Sequence, residues 1–142
     1  MKQYKLGIGF GSINPLHYGH IWLFQKAKAL CETFIVGLDT DTFLTEVKGK
    51  DLLQDYKTRH ALLSELKCID MIVPQSLECD KKFWIKTLGC DAIFVGDDHQ
   101  NTNWEGEIIA KECNIQVVYL PHTVEIHSKQ IRDIINKTRS SL

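Results

Sequence analysis

Two imidazoles three residues apart are the part of this chain best suited to chemistry. They are His17 and His20, in the stretch Gly9-Phe10-Gly11-Ser12-Ile13-Asn14-Pro15-Leu16-His17-Tyr18-Gly19-His20. Leu6-Gly7-Ile8 precedes it and Ile21-Trp22-Leu23-Phe24 follows, an order that reads as strand, glycine turn and helix. Glycine allows a sharp turn and close backbone approach to a ligand, while the N–H groups that open a helix attract an anion. Histidines at i and i+3 of the first helical turn can both face that anion, which makes this a site for phosphate chemistry. The stretch holds neither Gly-x-x-x-x-Gly-Lys-Ser/Thr nor Gly-x-Gly-x-x-Gly, so the two commonest nucleotide loops are excluded. The plainer alternative is that both histidines only cap a helix.

Positioning such a turn takes a sheet. Strand patterns cover about Lys5 to Phe10, Thr33 to Leu38, Asp70 to Pro74, Cys90 to Val95 and Ile115 to Leu120. Helical patterns cover about Tyr18 to Cys31, Asp55 to Leu66, Lys81 to Leu88, Trp104 to Glu112 and Lys129 to Lys137, the last capped by Ser128. Thr42 to Gln54 has weak periodicity and reads as a mobile loop, and residues 138–142 read as a frayed tail. Strict alternation predicts one α/β domain over residues 1–142, Rossmann-like and doubly wound, with a five-stranded parallel sheet and helices on both faces. In strand order 3-2-1-4-5, strands one and four flank the switch point where ligands bind. The loops after strands one, four and five (Gly9 to His20, Gly96-Asp97-Asp98 and His122 to Ser128) then meet at one cleft.

Seventeen basic and eighteen acidic side chains in 142 residues leave a formal charge of −1. Such balance offers no general field for nucleic acid or an acidic membrane, so any cationic site is local. No apolar run approaches the roughly 20 residues of a membrane span, and no apolar signal region opens the chain, which predicts a cytoplasmic protein. Cys31, Cys68, Cys79, Cys90 and Cys113 are odd in number and form no Cys-x-x-Cys pair. They predict reduced, mostly buried thiols rather than a disulfide framework or a zinc site.

His17-Tyr18-Gly19-His20 resembles the His-x-Gly-His signature of the nucleotidylyltransferase superfamily. From about Lys5 to Ile135 the chain is similar, within that superfamily, to the glycerol-3-phosphate cytidylyltransferases. The matching pieces are Thr40-Asp41-x-Phe43, Lys48, Lys50, Tyr56-x-x-Arg59, Ile69-Asp70, Lys81, Gly96-Asp97-Asp98, Trp104-Glu105-Gly106 and Val117-Val118-Tyr119-Leu120-Pro121. The resemblance implies transfer of a nucleoside monophosphate from a triphosphate to a phosphate monoester, with pyrophosphate released and no covalent enzyme intermediate. It implies CTP and a small acceptor such as glycerol 3-phosphate, Mg²⁺ carried with the triphosphate and not held in a protein metal cage, and a homodimer. By the same resemblance, catalysis falls to His17, His20 and Lys48. Nucleotide binding falls to Gly9, Phe10, Gly11, Ser12, Ile13, His17, His20, Gly96, Asp97, Asp98, His122, Thr123, Ile126, His127, Ser128 and Lys129. Lys48, Lys50, Arg59 and Lys81 fall to the acceptor and phosphates. Without the resemblance, these lysines read as solvated side chains and Arg59 as an ion-paired or snorkelling residue.

The chain departs from the family in three places. The closing signature becomes His122-Thr123-Val124-Glu125-Ile126-His127-Ser128-Lys129-Gln130-Ile131-Arg132, with His122 where an arginine should reach the triphosphate. Ser128 can still offer a helix N-terminus to phosphate, and Lys129 adds a cation. Five residues, His99-Gln100-Asn101-Thr102-Asn103, are inserted beside the expected nucleotide pocket. The turn Gly11-Ser12-Ile13-Asn14-Pro15 is nearer that of adenylyltransferases of coenzyme synthesis, which take ATP and a phosphorylated vitamin derivative. A cytidylyltransferase supplying envelope or surface-polymer precursors is therefore the leading expectation. A coenzyme adenylyltransferase and a non-catalytic nucleotide-sensing domain are the alternatives.

Overall fold

β1 (Tyr4–Gly11) forms the middle of the sheet because both of its edges are paired, with Ile8 opposite Ile35 of β2 (Cys31–Asp39) and Ile93 of β4 (Ala92–Gly96). The computed structural model describes residues 2–121 and 128–141, with side chains for 2–121 and 131–137. β3 (Met71–Gln75) adds to β2 and β5 (Gln116–Leu120) to β4, all in parallel, so the order is β3-β2-β1-β4-β5. This is the order expected for the doubly wound domain. Between the strands run α1 (Tyr18–Leu30), α2 (Tyr56–Ser64), α3 (Lys81–Leu88) and α4 (Glu105–Cys113), and α5 (Ser128–Ser141) closes the chain.

The two faces of the sheet follow from period-two alternation. Phe34, Val36 and Leu38 of β2 turn to one side, where Phe24 and Ala27 of α1 and Leu63 of α2 cover them. Ile35 turns to the other, joining Ile8, Val73 and Ile93 beneath Ile85 of α3 and Ala110 of α4. Caps mark the ends of the short helices, with α3 capped at both. Asp55 and Asp80 accept from Thr58 N–H and Phe83 N–H as N-caps, and Gly89 and Asn114 end α3 and α4 in the left-handed conformation.

Several boundaries differ from those the sequence suggests. β1 continues through Gly11, so Gly9 and Gly11 are strand residues and not the turn. The left-handed residue in the turn is Ile13, with φ 50° and its side chain buried. A Cβ on Gly11 would stand 3.0 Å from Ile13 Cδ1, so glycine makes room for that side chain. The expected loop at 42–54 opens with a π-helical turn, Phe43–Val47, because Phe43 and Leu44 bury themselves and draw the backbone with them. α5 runs on to Ser141, past the expected end at Lys137 and through most of the expected frayed tail.

Among the described residues no helix is long and apolar enough to cross a membrane. All five cysteines are free; Cys31 and Cys90 are buried and the other three partly so. Burial pushes the Cys90 thiol up to about 12, which removes it from thiolate chemistry.

Gly37 of β2 carries the ring of Phe10 directly against its Cα, where a Cβ would collide with it. Replacing it forces Phe10, a residue of the cleft described below, off its seat. Gly37→Ala is expected to lower stability by about 1–3 kcal/mol, the usual cost of overpacking, measured by urea denaturation. An unchanged midpoint would show that Phe10 is not held there.

Candidate active site

The cleft begins with how α1 starts. His17 is its N-cap in extended conformation, and its Nδ1 accepts from Gly19 N–H at 3.1 Å. His17 N–H donates in return to Nδ1 of His20 at 3.2 Å, closing a reciprocal capping box built from two imidazoles. A neutral imidazole that accepts at Nδ1 carries its proton on Nε2. Both rings are thereby set as Nε2–H donors, stacked with centroids 3.8 Å apart. Helix capping and phosphate chemistry are thus not rival roles. One nitrogen of each ring serves the helix while both rings line the cleft.

A cleft of about 580 Å³ opens there, at the carboxyl edge of β1 and β4. It is lined by Gly9, Phe10, Gly11, Ser12, Ile13, His17, His20, Lys48, Lys50, Lys81, Gly96 and Asp98, all expected from the sequence. Two of the three expected loops, Gly9 to His20 and Gly96-Asp97-Asp98, therefore do meet at the switch point. Asp97 lies in the 3₁₀ turn Asp97–His99 and does not line the cleft. His122, Thr123, Ile126 and His127 lie outside the described residues, as do the side chains of Ser128 and Lys129.

Arg59 is a correction. It is buried to 1% exposure and absent from the cleft lining. Its Nε donates to Gln54 O, one terminal nitrogen to both Ser12 O and Asp39 O, and the other to Asp41 Oδ1, at 2.7–2.8 Å. With its donors engaged this way, the guanidinium is a clamp and not a substrate contact. The side chain faces inward because the strand-ending carbonyls of β1 and β2 need a donor that no further strand supplies.

The same edge holds a connected polar chain. Asp39, fully buried, accepts from Ser12 Oγ at 2.6 Å and pairs with Lys48 Nζ at 2.5 Å. Its other oxygen accepts from Gln75 Nε2 at 2.5 Å, and Gln75 Oε1 accepts from Lys81 Nζ at 3.0 Å. Lys81 also meets Glu105 Oε1 at 2.6 Å. Asn14 ties the lysine-bearing loop to the turn, donating to Asp51 O and accepting from Leu53 N–H and Gln54 N–H. Burial, with Lys48 and Arg132 nearby, holds Lys50 below the ordinary lysine range despite the opposing pull of Asp39. Cations in mutual repulsion are what a bound polyanion would relieve.

Sequence reasoning missed Arg132, Asn14, Asp39, Gln75, His99 and Glu105 as parts of this site. Arg132 lines the cleft and donates to Asn14 O at 3.2 Å, a guanidinium presented from α5. Its signal was present, as the basic residue closing the last motif. His99 is the one residue of the insert that reaches the cleft, and Gln100, Asn101, Thr102 and Asn103 are exposed. Gln75 gave no signal at all.

Comparison with known proteins decides the family. Residues 8–134 match the cytidylyltransferase-like family. The chain belongs to that family. The glycerol-3-phosphate cytidylyltransferase of Bacillus subtilis is 32% identical over 131 residues, covering 92% of this chain and 97% of its own. That of Staphylococcus aureus is 30% identical over 128 residues, covering 90% and 92%. A lipopolysaccharide core biosynthesis protein from Thermoplasma volcanium shares the fold, with a TM-score of 0.69 at 24% identity over 87% of this chain and 99% of its own. A cytidylyltransferase-like protein of this kind is a nucleotidyltransferase.

Two outcomes follow. Arg59→Met leaves three carbonyls and Asp41 without their donor and should cost roughly 3–5 kcal/mol in denaturant unfolding. A loss under about 1 kcal/mol, the scale of a surface pair, would refute the clamp. Lys50, titrating low in the free protein, is restored towards its ordinary value by an anion. Pyrophosphate binding should therefore take up protons in alkaline solution, and affinity should fall as pH rises through the lowered Lys50 value. Calorimetry in buffers of different ionisation enthalpy reads the uptake, and Lys50→Arg should abolish it while keeping affinity.

Proposed function

We propose that this protein transfers CMP from CTP to glycerol 3-phosphate, releasing pyrophosphate and forming CDP-glycerol for an envelope or surface polymer. The observation that carries this reading is the imidazole capping box, which presents two neutral Nε2–H donors beside Lys48, Lys50 and Arg132. An acceptor phosphate oxygen attacks the α-phosphorus, a new P–O bond forms, and the α–β bridging oxygen leaves with pyrophosphate. Charge grows on the equatorial and leaving oxygens during that displacement. Neutral N–H donors and fixed cations stabilise it there without reorganising.

Among the described residues no group of three or more His, Cys, Asp or Glu side chains is arranged to hold a metal ion. The cleft's fixed cations suit phosphates and not Mg²⁺, so we assign magnesium to the incoming nucleotide as MgCTP, part of the substrate. Lys81, between Glu105 and the face of Phe10, suits the acceptor's phosphate. A homodimer and a cytoplasmic location, where CTP is made, complete the reading.

The adenylyltransferase alternative rested on the turn Gly11-Ser12-Ile13-Asn14-Pro15. Asn14 spends its amide on three backbone groups of residues 51–54, so the residue answers to loop holding and not to base choice. The sensing alternative rested on the arginine lost at His122. Arg132 supplies a guanidinium to the same cleft.

The test is magnesium-dependent pyrophosphate release, with four nucleoside triphosphates crossed against glycerol 3-phosphate, phosphocholine and nicotinamide mononucleotide. CTP with glycerol 3-phosphate should be the productive pair. His20→Ala should lower kcat by about 100-fold or more with a smaller change in CTP binding, because the donor acts chiefly in the transition state. Turnover only with ATP, or an undiminished His20→Ala enzyme, would overturn the reading.

A further inference from the structure

We propose that Asp39 is a positioning residue for two of the cleft lysines, directly for Lys48 and through Gln75 for Lys81, so that one buried carboxylate aims both. This rests on reading the cleft as a CMP-transfer site. Asp39 does not line the cleft, and its carboxylate is completely buried at the end of β2. A charge in such a place is costly unless paired and hydrogen-bonded, so its retention calls for a reason beyond stability.

Geometry supplies one. Asp39 Oδ2 pairs with Lys48 Nζ and accepts from Ser12 Oγ, while Oδ1 accepts from Gln75 Nε2. An ionised carboxylate accepts only, so it forces the Gln75 amide to turn its NH₂ inward. The amide oxygen is thereby turned outward, where it accepts from Lys81 Nζ at 3.0 Å. A flipped amide would set its oxygen against the carboxylate and its NH₂ against the ammonium. The polarity of Asp39 therefore decides what Lys81 meets one residue removed. The register that sets Asp39 opposite Gln75 makes the relay a property of the sheet.

The need is physical. Lysine carries about 2 kcal/mol of side-chain rotamer freedom, and a donor that wanders stabilises no transition state. Lys48 stands just past the π-helical turn, on a segment with little pattern of its own, and its fixed partners are Asp39 and Ser12. Lys81 is 8% exposed and held between Gln75 and Glu105.

Relocating the charge separates positioning from simple stability. Asp39→Asn removes the charge at constant shape. Asp39→Asn/Gln75→Glu returns one carboxylate to the buried pair but places it on the Lys81 side. Three readouts apply: thermal unfolding, steady-state kinetics with CTP and glycerol 3-phosphate, and ¹³C relaxation of lysine ε-methylenes in the unliganded protein. In the wild type, Lys48 and Lys81 should be rigid beside exposed Lys57. In the double variant the Tm should return to within about 4 °C of wild type, the span of roughly 1 kcal/mol. Lys81 should stay rigid, Lys48 should become as mobile as Lys57, and kcat should remain about 100-fold down with KM for CTP changed less than about threefold.

The proposal is overturned if Lys48 is already mobile in the wild type, if it stays rigid in the double variant, or if kcat recovers together with Tm. Should Asp39→Asn alone fail to fold, the double variant carries the test. A wild-type enzyme silent with CTP and glycerol 3-phosphate would overturn the functional reading instead, and the relaxation measurement would still decide the positioning.

Discussion

The buried guanidinium of Arg59 is the contact on which the rest of the active edge depends. β1 and β2 end side by side, and their last carbonyls point where no further strand can answer them. Arg59 donates to Ser12 O, Asp39 O and Gln54 O and pairs with Asp41, joining the phosphate turn, the end of β2 and the lysine loop at one point. A planar side chain with five donors in a rigid fork can do this, and a lysine cannot. The positions of Ser12, Asp39 and Lys48 all follow from where that fork sits.

Charge at this edge is arranged by depth. Asp39 and Arg59 lie below, both fully buried, and each is satisfied by named partners. Above them Lys48, Lys50, Lys81 and Arg132 line a cleft in a protein whose formal charge is only −1. Lys50 is held below the ordinary lysine range, first by burial and then by Lys48 beside it. Under the proposed reading, a bound polyanion would be met by these cations together.

The two histidines show how a local motif can do double service. In most helices Ser, Thr, Asp or Asn caps the first turn. Here imidazoles do so, and because only Nδ1 can reach back to the backbone, the tautomer is set by the same bonds that start α1. The same local bonds that start the helix thus prepare the motif.

That locality explains what could be read in advance. Lys48, Lys50 and Lys81 were expected in the cleft from the family resemblance alone, whereas element order and the convergence of His17, His20 and Asp98 follow from alternation, turn residues and short motifs. Those are signals carried by neighbours in the chain. The family resemblance gave Arg59 to the acceptor and phosphates, and its helix pattern does not say which way the side chain points. Only the stacked ends of β1 and β2 turned it inward. Asp39 meets Gln75 across 36 residues and Lys48 meets Ser12 across the same separation. Arg132 reaches Asn14 across 118. Hydrophobic periodicity and capping motifs are local, so by itself the sequence determined the order of the elements and the chemistry of the turn. Which buried carboxylate holds which lysine depends on strand register and on what each packed edge leaves unsatisfied, and tertiary structure alone decided that.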